Sequence, residues 1–164
     1  MAVNTRRVSD RRPIRYESFQ ELLADAECLA QSEVLMLGNW SLGQVFLHLA
    51  RSMHASVEGL PLETSWWSRL LVRLRYGRRF LTGPMPAGMH LPAAAAQRLL
   101  PDPISSDEGL AALREAIDRL GFETERAAHP LLGEMSLDQW DRCHLRHAEL
   151  HMSFALPINV PVLV

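Results

Sequence analysis

SLDQWDRCHLRHAELHMSFA, residues Ser136 to Ala155, reads as an amphipathic helix with histidines where its core face should be. At about 100° per residue, Leu137, Trp140, Cys143, Leu150, Phe154 and Ala155 gather on one side. Asp138, Asp141, Arg142, Arg146 and Glu149 gather on the other, and His144, His147 and His151 fall at the centre of the apolar stripe. An imidazole turned toward a core needs its nitrogens bonded, because an unmade buried hydrogen bond costs about 1–3 kcal/mol. His147 and His151 are spaced i, i+4, one above the other on a helix, within reach of a single ion. Neutral imidazole is a common ligand of zinc, nickel and iron, so one shared divalent metal ion is the simplest partner for these rings. The plain alternative is a set of core histidines, each bonded to a carbonyl or a hydroxyl.

Three further segments carry helix start signals. Ser18 with Glu21 and Ser41 with Gln44 have the spacing of a capping box, as does Ser136 with Gln139. Phe19, Leu22, Leu23, Ala26 and Ala30 then form one stripe, and Leu42, Val45, Phe46, Leu49, Met53 and Val57 a second. Ser105 or Ser106 opens another helix, with Leu110, Leu113, Ile117 and Leu120 at helical spacing, and Pro157 bounds the last one. Four amphipathic helices without strand alternation predict an all-α four-helix bundle. Between them, Trp66 to Leu81 reads as a basic helical stretch. Gly83 to Pro103 reads as a long irregular connection with one helical turn at Ala93 to Leu99, and Ile158 to Val164 as an extended segment that packs down.

Length and composition fit that reading. A chain of 164 residues with 48% hydrophobic content suits one domain with a real core. We expect residues 1–15 to be a flexible basic arm, on account of Arg6, Arg7, Arg11, Arg12 and Arg15, and residues 16–164 to be the domain. A net charge of -2 argues against a nucleic-acid partner for the whole molecule. Cys28 and Cys143 are far apart with no paired spacing, which points to free thiols in a reducing compartment. The start lacks an apolar leader and no run is long enough to span a membrane, so a cytoplasmic location is expected. Trp66, Trp67 and the Arg69 to Phe80 stretch suit the edge of a bundle, with arginine stems lying on apolar surface, better than a membrane.

A third ligand has to come from another helix. His48 flanks the stripe of the second helix, with the small Ser52 one turn away and Ala55 beyond it. His54 points to a different side, while His90 and His129 stand beside loop prolines as surface or capping residues. Gly121 and Thr124 are small and suit a pocket beside the metal. No helix carries the Glu-x-x-His pairs of a di-iron bundle, which favours a single ion.

At these residues the chain resembles the DinB-like superfamily. The matching stretches are Asn39 to Ser52, Ser56 to Pro61, Tyr76 to Phe80, Met85 to Pro92, His129 to Gly133 and Ser136 to His151, in that order through most of the chain. The resemblance implies a four-helix bundle with a three-histidine metal site, here His48, His147 and His151. Its characterised relatives include thiol S-transferases that use low-molecular-weight thiols such as mycothiol or bacillithiol, and a maleylpyruvate isomerase. The ending departs from the pattern, with Leu150, Ser153 and Phe154 where a further His and an Arg-Gln often stand.

Two functions follow. The first is a metal-dependent thiol transferase or hydrolase, with open positions on the ion for water or a small thiol. In it His144 serves as an acid/base or orienting group beside the metal, or simply bonds within the core. Substrate would enter beside Ser52, His144 and Gly121, with Gly83 to Pro103 as a lid. The second is a non-catalytic metal- or small-ligand-binding protein, or a structural helical homodimer. It is kept open because no carboxylate stands out on the core faces as a general base. Cys143 reads as a small core hydrophobe rather than a nucleophile.

Overall fold

The structure, a computed structural model, describes residues 2–60, 80–88 and 93–158 together with Trp67, Leu71, Leu74 and Gly77. After a 3-10 turn at Thr5–Arg7 come α1 (Phe19–Ala30), the short strand β1 (Val34–Met36) and α2 (Leu42–Glu58). Then follow α3 (Ala93–Leu99), α4 (Ser106–Phe122), α5 (Leu137–Met152) and β2 (Ala155–Pro157). Helices α1 and α2 each pack against both α4 and α5, which closes a four-helix bundle as the sequence predicts. The expected turn at Ala93 to Leu99 forms as α3 and rests on α2. Most of Trp66 to Leu81, His90 within the irregular connection, and the last residues of the C-terminal segment lie outside the described residues. Among the described residues, no helix is long and apolar enough to cross a membrane.

Serine caps start the four bundle helices. Ser41 and Ser136 each accept from the backbone N–H three residues on, and Gln44 and Gln139 return a bond to the cap N–H. Ser105 rather than Ser106 caps α4, with Glu108 closing the same box. The box expected at Ser18 is only half made: Ser18 accepts from the Glu21 N–H, while the Glu21 carboxylate takes the N–H of Glu17 instead.

Leu22, Leu29, Phe46, Leu49, Met53, Leu113 and Met152, all but inaccessible, fill the centre. The tightest helix contact is at Gly43 and Gly109, where α2 and α4 touch backbone to backbone. A Cβ on Gly109 would lie 2.4 Å from the Gly43 carbonyl oxygen, and one on Gly43 2.4 Å from that of Ser105.

One feature differs from the sequence reading. The final helix stops at Met152, and Ala155–Pro157 pairs antiparallel with Val34–Met36, Met36 opposite Ala155. A three-residue strand is too short for alternation to show. The basic N-terminal stretch has specific partners along the bundle. The Arg12 N–H donates to the Ser153 carbonyl, its guanidinium grips both carboxylate oxygens of Asp25, and Tyr16 is buried.

Candidate metal centre

Helix α2 delivers His48 and helix α5 delivers His147 and His151 to one point. One nitrogen from each ring lies within 4.8 Å of the others. His147 Nε2 stands 3.2 Å from His48 Nε2 and 3.0 Å from His151 Nε2. The planes are steeply inclined to one another, at 74° for His48 and His147 and 84° for His147 and His151, so the nitrogens converge without ring stacking. His48 is buried, whereas His147 and His151 keep partly exposed edges.

The tautomer of His48 follows from its other nitrogen. Nδ1 lies 2.8 Å from the Leu99 carbonyl oxygen, at the end of α3. A carbonyl only accepts, so Nδ1 carries the proton and Nε2 turns a lone pair toward the other two rings. This is how protein metal sites orient a histidine ligand. Burial holds the His48 pKa below its ordinary value, against the upward pull of the Leu99 carbonyl. Burial holds His147 and His151 well below it, reinforced by the neighbouring histidines. All three rings are therefore neutral near pH 7, and neutral rings with converging lone pairs fit a divalent cation. Trp40 covers the cluster, stacked on His151 at 5.4 Å and 17° and tilted against His48.

The remaining candidates are placed elsewhere. His144, one turn before His147, is buried and stacks on Trp140, with Nε2 3.0 Å from Ser56 Oγ. Ser56 gives its own proton to the Met53 carbonyl, so His144 donates to Ser56, and burial pushes its pKa down to about 3. His54 meets Arg119. His129 is half-buried and caps its own turn, accepting from the N–H groups of Leu131 and Leu132. Cys143 is buried, and its thiol is pushed up to about 12 by burial alone.

One expectation needs correction. Gly121 and Thr124 are exposed, and nothing lies within 4 Å of a Cβ built on Gly121, so they do not line the site. The Ser52 hydroxyl bonds back to the His48 carbonyl. The space beside the cluster is instead a cavity of about 220 Å3, reached at His151 and bounded by Trp40, Leu150, Phe154 and, from the irregular connection, Ala87 and Gly88.

Some residues with a role escaped the sequence reading. Arg146 and Glu149, assigned to the polar side of α5, are both buried and paired at 2.6 Å. Glu149 also accepts from the Tyr16 N–H, and Arg146 donates to the Tyr16 carbonyl, which fixes α5 to the chain leading into α1. Their signal was an opposite-charge pair at i, i+3. Trp40 carried one too, an aromatic immediately before a helix cap.

A bundle with three imidazole nitrogens converging from two helices, one of them oriented by a backbone carbonyl, is the class of structure that can hold a metal ion. The chain belongs to a protein family described as protein of unknown function (DUF1569), which it matches over residues 8–158. No curated protein and no solved structure matches it.

Proposed function

We propose that this chain is a DinB-like metal protein that holds one divalent ion on His48, His147 and His151 and uses it in a thiol transferase or hydrolase reaction. The observation that carries the reading is the inward lone pair of His48 Nε2, set by the Leu99 carbonyl and aimed at two further imidazole nitrogens. Three nitrogen donors suit zinc, nickel or iron, and leave positions free for a small molecule. When bound, the ion supplies Lewis acidity, lowering the pKa of a small thiol or of water.

The chain's own residues have separate tasks. Leu99 and Trp40 fix the rings of His48 and His151 before any ligand arrives, as preorganisation requires. His144 supports the helix turn beneath His147 through its Ser56 bond, a positioning role. The test is elemental analysis of tag-free protein, followed by assay of the metal-loaded form with small thiols and electrophiles. One equivalent of metal with turnover supports the proposal. Metal without turnover reduces it to a binding protein, and no metal at all overturns it.

A further inference from the structure

The cavity beside His151 has a composition that defines what fits it. Trp40, Val45, Leu150 and Phe154 form most of its walls. Among the described residues lining it there is no Asp, Glu, Lys or Arg; Asn39 and Thr5 supply the polar contacts. Away from the three histidines, a charged group entering such a space loses hydration and meets no charged side chain among those lining residues, which is unfavourable. A neutral apolar group gains in proportion to the area it removes from water. An apolar cavity of about 150 Å3 suffices for benzene, so about 220 Å3 accommodates one ring with a short substituent.

The N-terminal segment closes one side. Val3 N–H donates to Asn39 Oδ1 at 2.6 Å, and Asn39 Nδ2 donates back to the Val3 carbonyl at 2.9 Å. Arg6 donates to the Gly88 carbonyl at 2.8 Å, tying the same segment to the irregular connection. Thr5, between these two anchors, faces the cavity.

We propose that this cavity binds a neutral small molecule whose flat apolar body, about one ring in size, lies against Trp40, Leu150 and Phe154 while a soft head group such as a thiol reaches the three-histidine centre at His151. This rests on the metal-site reading above and adds the class of substrate to it. The segment held by Asn39 is then part of the binding site, and large or charged thiols are discriminated against.

The experiment uses three probes on the full chain, zinc-loaded and zinc-free: benzyl mercaptan, toluene and mercaptosuccinate. Isothermal titration should give benzyl mercaptan at least tenfold tighter than mercaptosuccinate on the zinc-free protein, where no ion chelates the carboxylates, and tighter still on the zinc-loaded form. Toluene, a body without a head, should bind both forms alike. Ala87→Trp, which fills the cavity, should weaken toluene at least tenfold with zinc stoichiometry unchanged. Asn39→Ala, which frees the wall, should weaken it severalfold, and helical circular dichroism checks that both variants fold. Toluene that fails to bind, or mercaptosuccinate that equals benzyl mercaptan on zinc-free protein, overturns the assignment. A protein that takes up toluene but no zinc retains the cavity and loses the metal reading, so the two failures are distinct.

Discussion

Arg146 and Glu149 face each other at 2.6 Å inside the protein, with side chains only 3% and 10% exposed. Removing one partner of a buried pair leaves the other charge uncompensated, at a cost of about 3–5 kcal/mol. Glu149→Ala should lose stability on that scale, since it also strips the Tyr16 N–H of its acceptor. Urea unfolding measures it, and a midpoint within error of wild type would show the pair to be dispensable.

Gly43 and Gly109 make the second prediction. No side chain fits between α2 and α4 at that level, and the obstructing atoms are backbone. Gly109→Ala should destabilise by about 1–3 kcal/mol, the usual cost of overpacking, although alanine is the better helix former. Gly121→Ala, where space is open, should be neutral or slightly stabilising. A lowered melting temperature for Gly109→Ala beside an unchanged or raised one for Gly121→Ala is the expected result.

The third prediction concerns acid. Burial lowers the pKa of His129 to about 4 and that of His144 to about 3. In the unfolded chain both titrate near about 6.5. As pH falls below that value the unfolded state takes up protons that the folded state refuses. Stability present above it is thus lost progressively down to the folded pKa values, by up to about 1.4 kcal/mol per pH unit for each ring. His129→Asn keeps an acceptor for the Leu131 and Leu132 N–H groups but cannot protonate. Its urea midpoint should fall less steeply between pH 6 and 4 than that of wild type, and equal slopes would refute the assignment.

Metal removal gives the fourth. His48→Ala and His147→Ala should each abolish uptake of one equivalent of metal, while His54→Ala, bonded to Arg119, should not. Metal at a hundredfold excess over its dissociation constant should raise stability by about 2.7 kcal/mol, and chelator should reverse this. Protons compete with the ion for the rings, and the ligand pKa values are lowered. Affinity should therefore stay level from pH 8 to the ordinary imidazole range and fall only below it. Affinity that falls already above pH 7 would show the rings to be more basic than their burial implies.

The cluster of His48, His147 and His151 was legible because an i, i+4 pair in an apolar stripe is a local pattern, and the caps at Ser41 and Ser136 fixed where the stripes begin. Arg146 and Glu149 were not. A helical wheel sends charges outward and holds no information about Tyr16, whose backbone arrives from a distant part of the chain to receive them. Gly121 failed for a related reason, since the angle around an axis is silent about height along it, and this glycine stands at the exposed end of α4. The Leu99 carbonyl that sets the His48 tautomer has no side-chain signature at all.

The two-stranded pairing acts as a ruler. Met36 and Ala155 lie opposite each other, Trp40 follows Met36 by four residues, and His151 precedes Ala155 by four. The stacked rings of Trp40 and His151 are thus measured off in opposite chain directions from one fixed mark. A residue inserted between Met36 and Ser41 would leave His48, His147 and His151 in place and still slide the indole off its imidazole. The spacing of this connection is therefore as much a part of the three-histidine cluster as the rings are.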